Sequence, residues 1–121
     1  MKAEVPRNPT HFGLARPTKH PDALDYIFRG RAILMKPPTP DNRAEAITLF
    51  NRALALDPQS VAAQSWLART LAVREPDEIT SSAAADVARA EDLVTKALAA
   101  APGSALAHYA RGTVLRGPIR V

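Results

Sequence analysis

Cysteine is absent from the 121 residues, and aromatic side chains make up only 5% of them. The first absence excludes a disulfide framework and a cysteine-rich metal site, and it suits a reducing compartment. The second argues against a thick sandwich core. No run approaches the roughly 18 consecutive apolar residues of a membrane span. The opening MKAEVPRNPTHFG has no continuous apolar h-region of a secretory signal. A soluble, cytoplasmic protein with no membrane association is therefore expected. The five glycines form no phosphate-cradling run. The three histidines, His11, His20 and His108, stand far apart, at no ligand spacing. Asp22 and Asp25 fall at a helix start, where carboxylates satisfy the dipole, and Asp77 and Glu78 fall in a loop. Neither pair reads as a general acid and base. The chain is expected to be no enzyme and to hold no cofactor and no metal.

The net charge of +4 with pI near 10 suggests nucleic acid until the charges are located. Residues 1–21 carry four basic and one acidic side chain, residues 22–104 nine basic against eleven acidic, and residues 105–121 three arginines. The body is mildly acidic and only the ends are basic. A nucleic-acid footprint is a basic stripe on one folded face, so no nucleic-acid partner is expected.

What the chain has in quantity is alanine, the best helix former, and proline. Four of the eleven prolines (Pro6, Pro9, Pro17, Pro21) lie in residues 1–21, which show no helical or strand period and read as a disordered, basic lead. Apolar residues then recur at helical steps in five segments separated by proline. Leu24, Ile27, Phe28, Ala32, Leu34 and Met35 mark the first helix. Thr39 and Pro40 open a second that carries Ala46, Ile47, Phe50, Ala53 and Leu54. Ser60 caps a third with Ala63, Trp66, Leu67, Thr70 and Leu71 on one face. The fourth runs from about Ala83 to Ala101, and Ser104 caps the fifth, which Gly117 and Pro118 close. No segment alternates with period two, so strands are not expected.

Two of these helices repeat one another. AEAITLFNRALALDPQS (residues 44–60) and ARAEDLVTKALAAAPGS (88–104) align with Ala46 on Ala90, Phe50 on Val94, Ala53 on Ala97, Leu54 on Leu98 and Pro58 on Pro102. The helices after Pro21, Pro58 and Pro102 share a second pattern in YIFRGRAIL, QSWLARTLA and HYARGTVLR, with Gly30, Ala68 and Gly112 in one small-residue slot. Self-similarity of this kind is the mark of a repeat architecture.

Small, large, small and then proline, on paired helices, resembles the tetratricopeptide repeat family. The resemblance implies an all-α stack of antiparallel helix pairs, a solenoid of about five helices spanning residues 22–117. Its repeats would be residues 23–58 and 61–102, with a half repeat at 105–117 and a tail at 118–121. The spacing of 44 residues between copies exceeds the family's roughly 34, because the loop REPDEITSS between them is long; KPPTPD stretches the first unit in the same way. Gly30, Ala46, Phe50, Ala53, Pro58, Ala68, Ala90, Val94, Ala97, Pro102 and Gly112 would be packing and helix-ending positions. DALDYIFRGRA, RAEAITLFNRALALDPQSVAAQSWLA and ALAHYARGTVLR are also similar to the tetratricopeptide region of some bacterial class III adenylate cyclases and winged-helix regulators. The 21 residues upstream are too few for a cyclase domain.

In such a stack the first helix of each pair lines a concave surface. The family register would turn Leu24, Ile27, Arg31, Leu34 and Met35, then Ser65, Arg69 and Val73, then Tyr109, Thr113 and Arg116 toward it. A partner peptide or helix is the expected ligand. Arg31, Arg69 and Arg116 would pair carboxylates, and Ile27, Met35 and Tyr109 would supply apolar contact. A non-catalytic protein-interaction module is the expected function. The other reading is a truncated or detached regulatory tail of a cyclase or transcriptional regulator. A solenoid's last apolar face needs a cover; the fifth helix itself, or a second chain forming a homodimer there, would provide it.

Overall fold

The computed structural model describes residues 20–73 and 83–116. Five helices follow in chain order: α1 Pro21–Leu34, α2 Pro40–Leu56, α3 Val61–Ala72, α4 Ala83–Ala100 and α5 Ala105–Arg116. There is no strand among the described residues, and the chain is all-α as the missing period-two alternation predicts. The lead before His20, the break after α3 and the tail after Arg116 lie outside the described residues.

Local chemistry sets the helix starts. Pro21 and Pro40 occupy first-turn positions where a missing N–H costs nothing. The Thr39 hydroxyl accepts from the Asn42 amide at 3.1 Å, and the Ser60 and Ser104 hydroxyls accept from the Ala63 and Ala107 amides, both at 3.1 Å. Each bond satisfies one of the donors that a helix start leaves open.

The turn before α3 and the turn before α5 are built alike. Asp57 and Ala101 donate to the carbonyls of Ala53 and Ala97, both at 2.8 Å, and Ser60 and Ser104 donate to Asp57 and Ala101 at 3.1 and 3.0 Å. Six residues beyond each proline a side chain reaches back. Gln64 Nε2 donates to the Pro58 carbonyl at 2.9 Å, and His108 Nε2 lies 2.7 Å from the Pro102 carbonyl. Every pair in this set stands 44 residues apart, so the duplication in sequence is a duplication of turn geometry.

Consecutive helices run antiparallel. Ala23 and Ile27, early in α1, share an apolar cluster with Ala53, late in α2, whereas Ile33 joins Ala46. Val61, which opens α3, clusters with Ala97 and Ala101 at the far end of α4. The α3 helix lies at the centre, packed against each of the other four. Nine of its twelve residues are buried, so even Gln64 and Ser65 are interior.

The buried face of α1 carries Gly30, as the repeat predicts, but also Ile27, which the register turns to the groove. Ala23, Ile27, Gly30 and Ile33 are buried, while Leu24, Phe28, Leu34 and Met35 are exposed. The reason is closeness of approach. A Cβ added to Gly30 would stand 2.6 Å from Phe50 Cε1, and only the narrow Ala–Gly side of α1 allows that distance. The Phe50 ring fills the gap and stacks on Trp66 on its other side, with centroids 6.4 Å apart. Ala46, Ala53, Ala68, Ala90 and Ala97 have no exposed surface, and Val94 has 5%. Pro58 and Pro102 are exposed just past the ends of α2 and α4. Gly112 departs from its expected role: a Cβ there meets nothing within 4 Å, so no close helix contact demands a glycine.

Close packing at the alanines makes a measurable prediction. Ala90→Leu inserts three carbons where no surface is free, which is expected to cost about 1–3 kcal/mol. A thermal melt that matches the parent would show that the α3–α4 layer has slack.

Candidate binding cleft

A cleft of about 290 Å³ opens between the end of α1, the loop that follows it, the start of α2, and the helices α3 and α5. Its volume falls just below the range for ligand sites, which run from about 300 to 1,000 Å³. It suits a few side chains better than a whole drug-sized molecule. Ile33 and Leu34 contribute from α1, Lys36, Pro37, Pro38 and Thr39 from the loop, and Asn42 and Arg43 from α2. Arg69, Thr70 and Val73 contribute from α3 and its end, and Tyr109, Thr113 and Arg116 from α5.

Each wall is held in place from behind. Asn42 Nδ2 donates to the Pro37 carbonyl at 2.9 Å, which pins the loop to the first turn of α2. Arg43 Nε and Nη2 donate to the carbonyls of Val73 and Leu71 at 2.9 and 3.2 Å. These carbonyls belong to the end of α3, where acceptors lack helical partners, so Arg43 ties two helices rather than facing a ligand. The Thr70 and Thr113 hydroxyls donate to the carbonyls of Trp66 and Tyr109, four residues back, at 2.7 and 3.1 Å.

Arg69 is the central side chain. Its guanidinium carbon lies 4.5 Å from the Trp66 ring centroid and 4.3 Å from that of Tyr109, so the cation is clasped between two π faces. Burial lowers its pKa from the usual arginine value, and the Tyr109 hydroxyl offsets part of that shift. Arginine remains charged regardless. Its Nε is out of solvent and has no hydrogen-bond partner. The Arg31 guanidinium lies over the same Trp66 ring at 4.9 Å. Arg31, Trp66, Arg69 and Tyr109 therefore form a ladder of alternating cations and rings from α1 across α3 to α5.

Of the groove residues expected from the repeat register, Leu34, Arg69, Val73, Tyr109, Thr113 and Arg116 line the cleft together. Ile27 does not. It is 2% exposed and packs with Ala23, Ala53 and Ala63, so it offers no surface to a ligand; Ser65, in the corresponding slot of α3, is fully buried too. Arg31 is exposed but stands on the ladder outside the cleft wall, and Met35, 89% exposed, projects beyond it. The loop residues Lys36 to Thr39 line the cleft although KPPTP reads as a connector. The signal was available in its composition, since a proline-stiffened loop with one lysine is a rigid wall carrying a charge.

No group of three or more His, Asp or Glu side chains among the described residues could hold a metal, and none of the described helices is long and apolar enough to cross a membrane. Together the elements define an all-helical scaffold around a cleft that is apolar at its rim and cationic in its walls. The chain matches no protein-family model, no curated protein and no solved structure.

Proposed function

We propose that this chain is a non-catalytic protein-interaction module, a tetratricopeptide-like stack of helix pairs that takes a segment of a partner protein in the cleft. The carrying observation is the cleft itself. It joins exposed apolar groups, Leu34, Val73 and Tyr109, to cationic side chains on a wall braced by hydrogen bonds. Rigid walls with a mixed lining bind a segment at low ordering cost. The duplicated turns before α3 and α5 support the repeat reading, and the antiparallel pairing agrees with it.

Site-specific photocrosslinking tests the proposal. A benzophenone side chain at Val73, half-exposed in the cleft, is expected to capture a protein adduct in lysate of the source cells. The same probe at Ala99, exposed on α4 away from the cleft, is not. Equal labelling from both positions, or none from Val73, would remove the cleft as the binding surface.

A further inference from the structure

We infer that the segment held in this cleft is acidic, an extended stretch in which carboxylate side chains pair with Lys36, Arg69 and Arg116 beside an apolar residue against Tyr109 and Val73. The inference rests on the cleft reading above and adds the chemistry of the occupant.

Charge complementarity carries it. Among the described residues four cations line the cleft, and no aspartate or glutamate does. Arg43 is committed to the end of α3, which leaves three. None of these has an ion pair among the described residues; the ion pairs of Arg29 with Asp25 and Lys96 with Asp92 lie on exposed helix faces elsewhere. The described residues do not lack carboxylates: residues 22–73 and 83–104 hold eight acidic and eight basic side chains. None of those eight carboxylates lines this concavity, so its described walls set three like charges around a shared space, which an anionic occupant would neutralise. Arg69 is also preorganised. Two rings fix its plane, so the rotamer freedom that a long side chain normally loses on binding is already gone.

The same clasp argues against nucleic acid as the occupant. Single strands are held by bases stacked on open aromatic faces, but Tyr109 is the one aromatic ring among the described lining residues, and it already holds the Arg69 guanidinium over its ring. An apolar rim of Leu34 and Val73 suits a peptide side chain better than a ribose or phosphate.

The test is selection from a bead library of nonapeptides whose positions vary among Glu, Lys, Gln, Leu and Phe. Binding of the selected peptides is then followed by fluorescence of Trp66, the single tryptophan. Enrichment of Glu at two or more positions is expected, together with Leu or Phe. The best peptide should bind the Lys36→Gln/Arg116→Gln variant at least about tenfold more weakly than the parent, and more weakly at high salt. Both residues are exposed, so the variant should melt like the parent. Selection of Lys-, Gln- or Leu-rich peptides that still respond to the cleft would overturn the acidic occupant and leave the cleft reading standing. Selection of nothing would overturn both. Displacement of the peptide by millimolar inorganic phosphate, or by a thymidine oligonucleotide that binds more tightly, would also overturn the proposal.

Discussion

Phe50→Ala is expected to lower the stability of the folded chain by about 3–5 kcal/mol. Phe50 is the largest of the described side chains with no exposed surface, and its ring on α2 meets Gly30 of α1 and Trp66 of α3. The atoms that would have to close the hole are poorly placed to do so. Gly30 has no side chain to move in, and Trp66 is also held by the Arg31 and Arg69 guanidinium groups. A site that cannot collapse keeps its cavity, and the cost rises with cavity volume. Domains of this kind are stable by about 5–15 kcal/mol, so the variant should melt lower by roughly 15 °C or more. Val94, which holds the same place in the second copy, provides the control. There the sequence pairs a larger small residue, Ala68, with a smaller filler. Val94→Ala should cost roughly 2 kcal/mol, the transfer of two carbons. Urea titrations followed by circular dichroism would measure both. Equal losses at the two positions would mean that the Phe50 ring fills space that its neighbours can also fill.

The repeated elements were the ones readable in the sequence, for a physical reason. Helix ends depend on a few adjacent residues, and Thr39, Ser60 and Ser104 each cap the helix whose start they mark. Burial of the alanines was equally local, because Ala46 and Ala90 lie on the inward stripe of an amphipathic helix whatever their partner is. The orientation of α1 was not local. By hydrophobicity its strongest side is Leu24, Phe28 and Met35, yet close approach to Phe50 selects the weaker side that contains Gly30. Periodicity reports which side chains are apolar; it does not report which side is narrow. Ile27 and Ser65 fall short as groove residues for a related reason. A register carried along one helix gives angle about its axis, but depth depends on what packs across it, and both positions are covered by neighbouring helices. The cleft wall from Lys36 to Thr39 was hidden by its lack of any period, since a loop becomes a wall only through bonds such as Asn42 to Pro37.

Gly30 and Gly112 share one slot of the repeat and are expected to respond to substitution with opposite signs. At Gly30 the first added carbon already stands 2.6 Å from Phe50 Cε1 and 2.8 Å from Cζ. The ring cannot swing aside, because it is fully buried and stacked on Trp66. Gly30→Leu should therefore cost about 3 kcal/mol, the upper part of the usual range for overpacking, despite the better helix propensity of leucine. At Gly112 an added carbon meets nothing within 4 Å, and the residue lies inside α5. Gly112→Ala should stabilise by about 0.4–1 kcal/mol, because alanine restricts the unfolded chain without strain in the helix. The decisive measurement is the combination Gly30→Leu with Phe50→Ala. The leucine would enter the space the ring has left, so the double variant should be less destabilised than the sum of the singles by about 1–3 kcal/mol. Additive losses would show that Gly30 is required for its backbone freedom, not for the approach of α1 to the ring on α2.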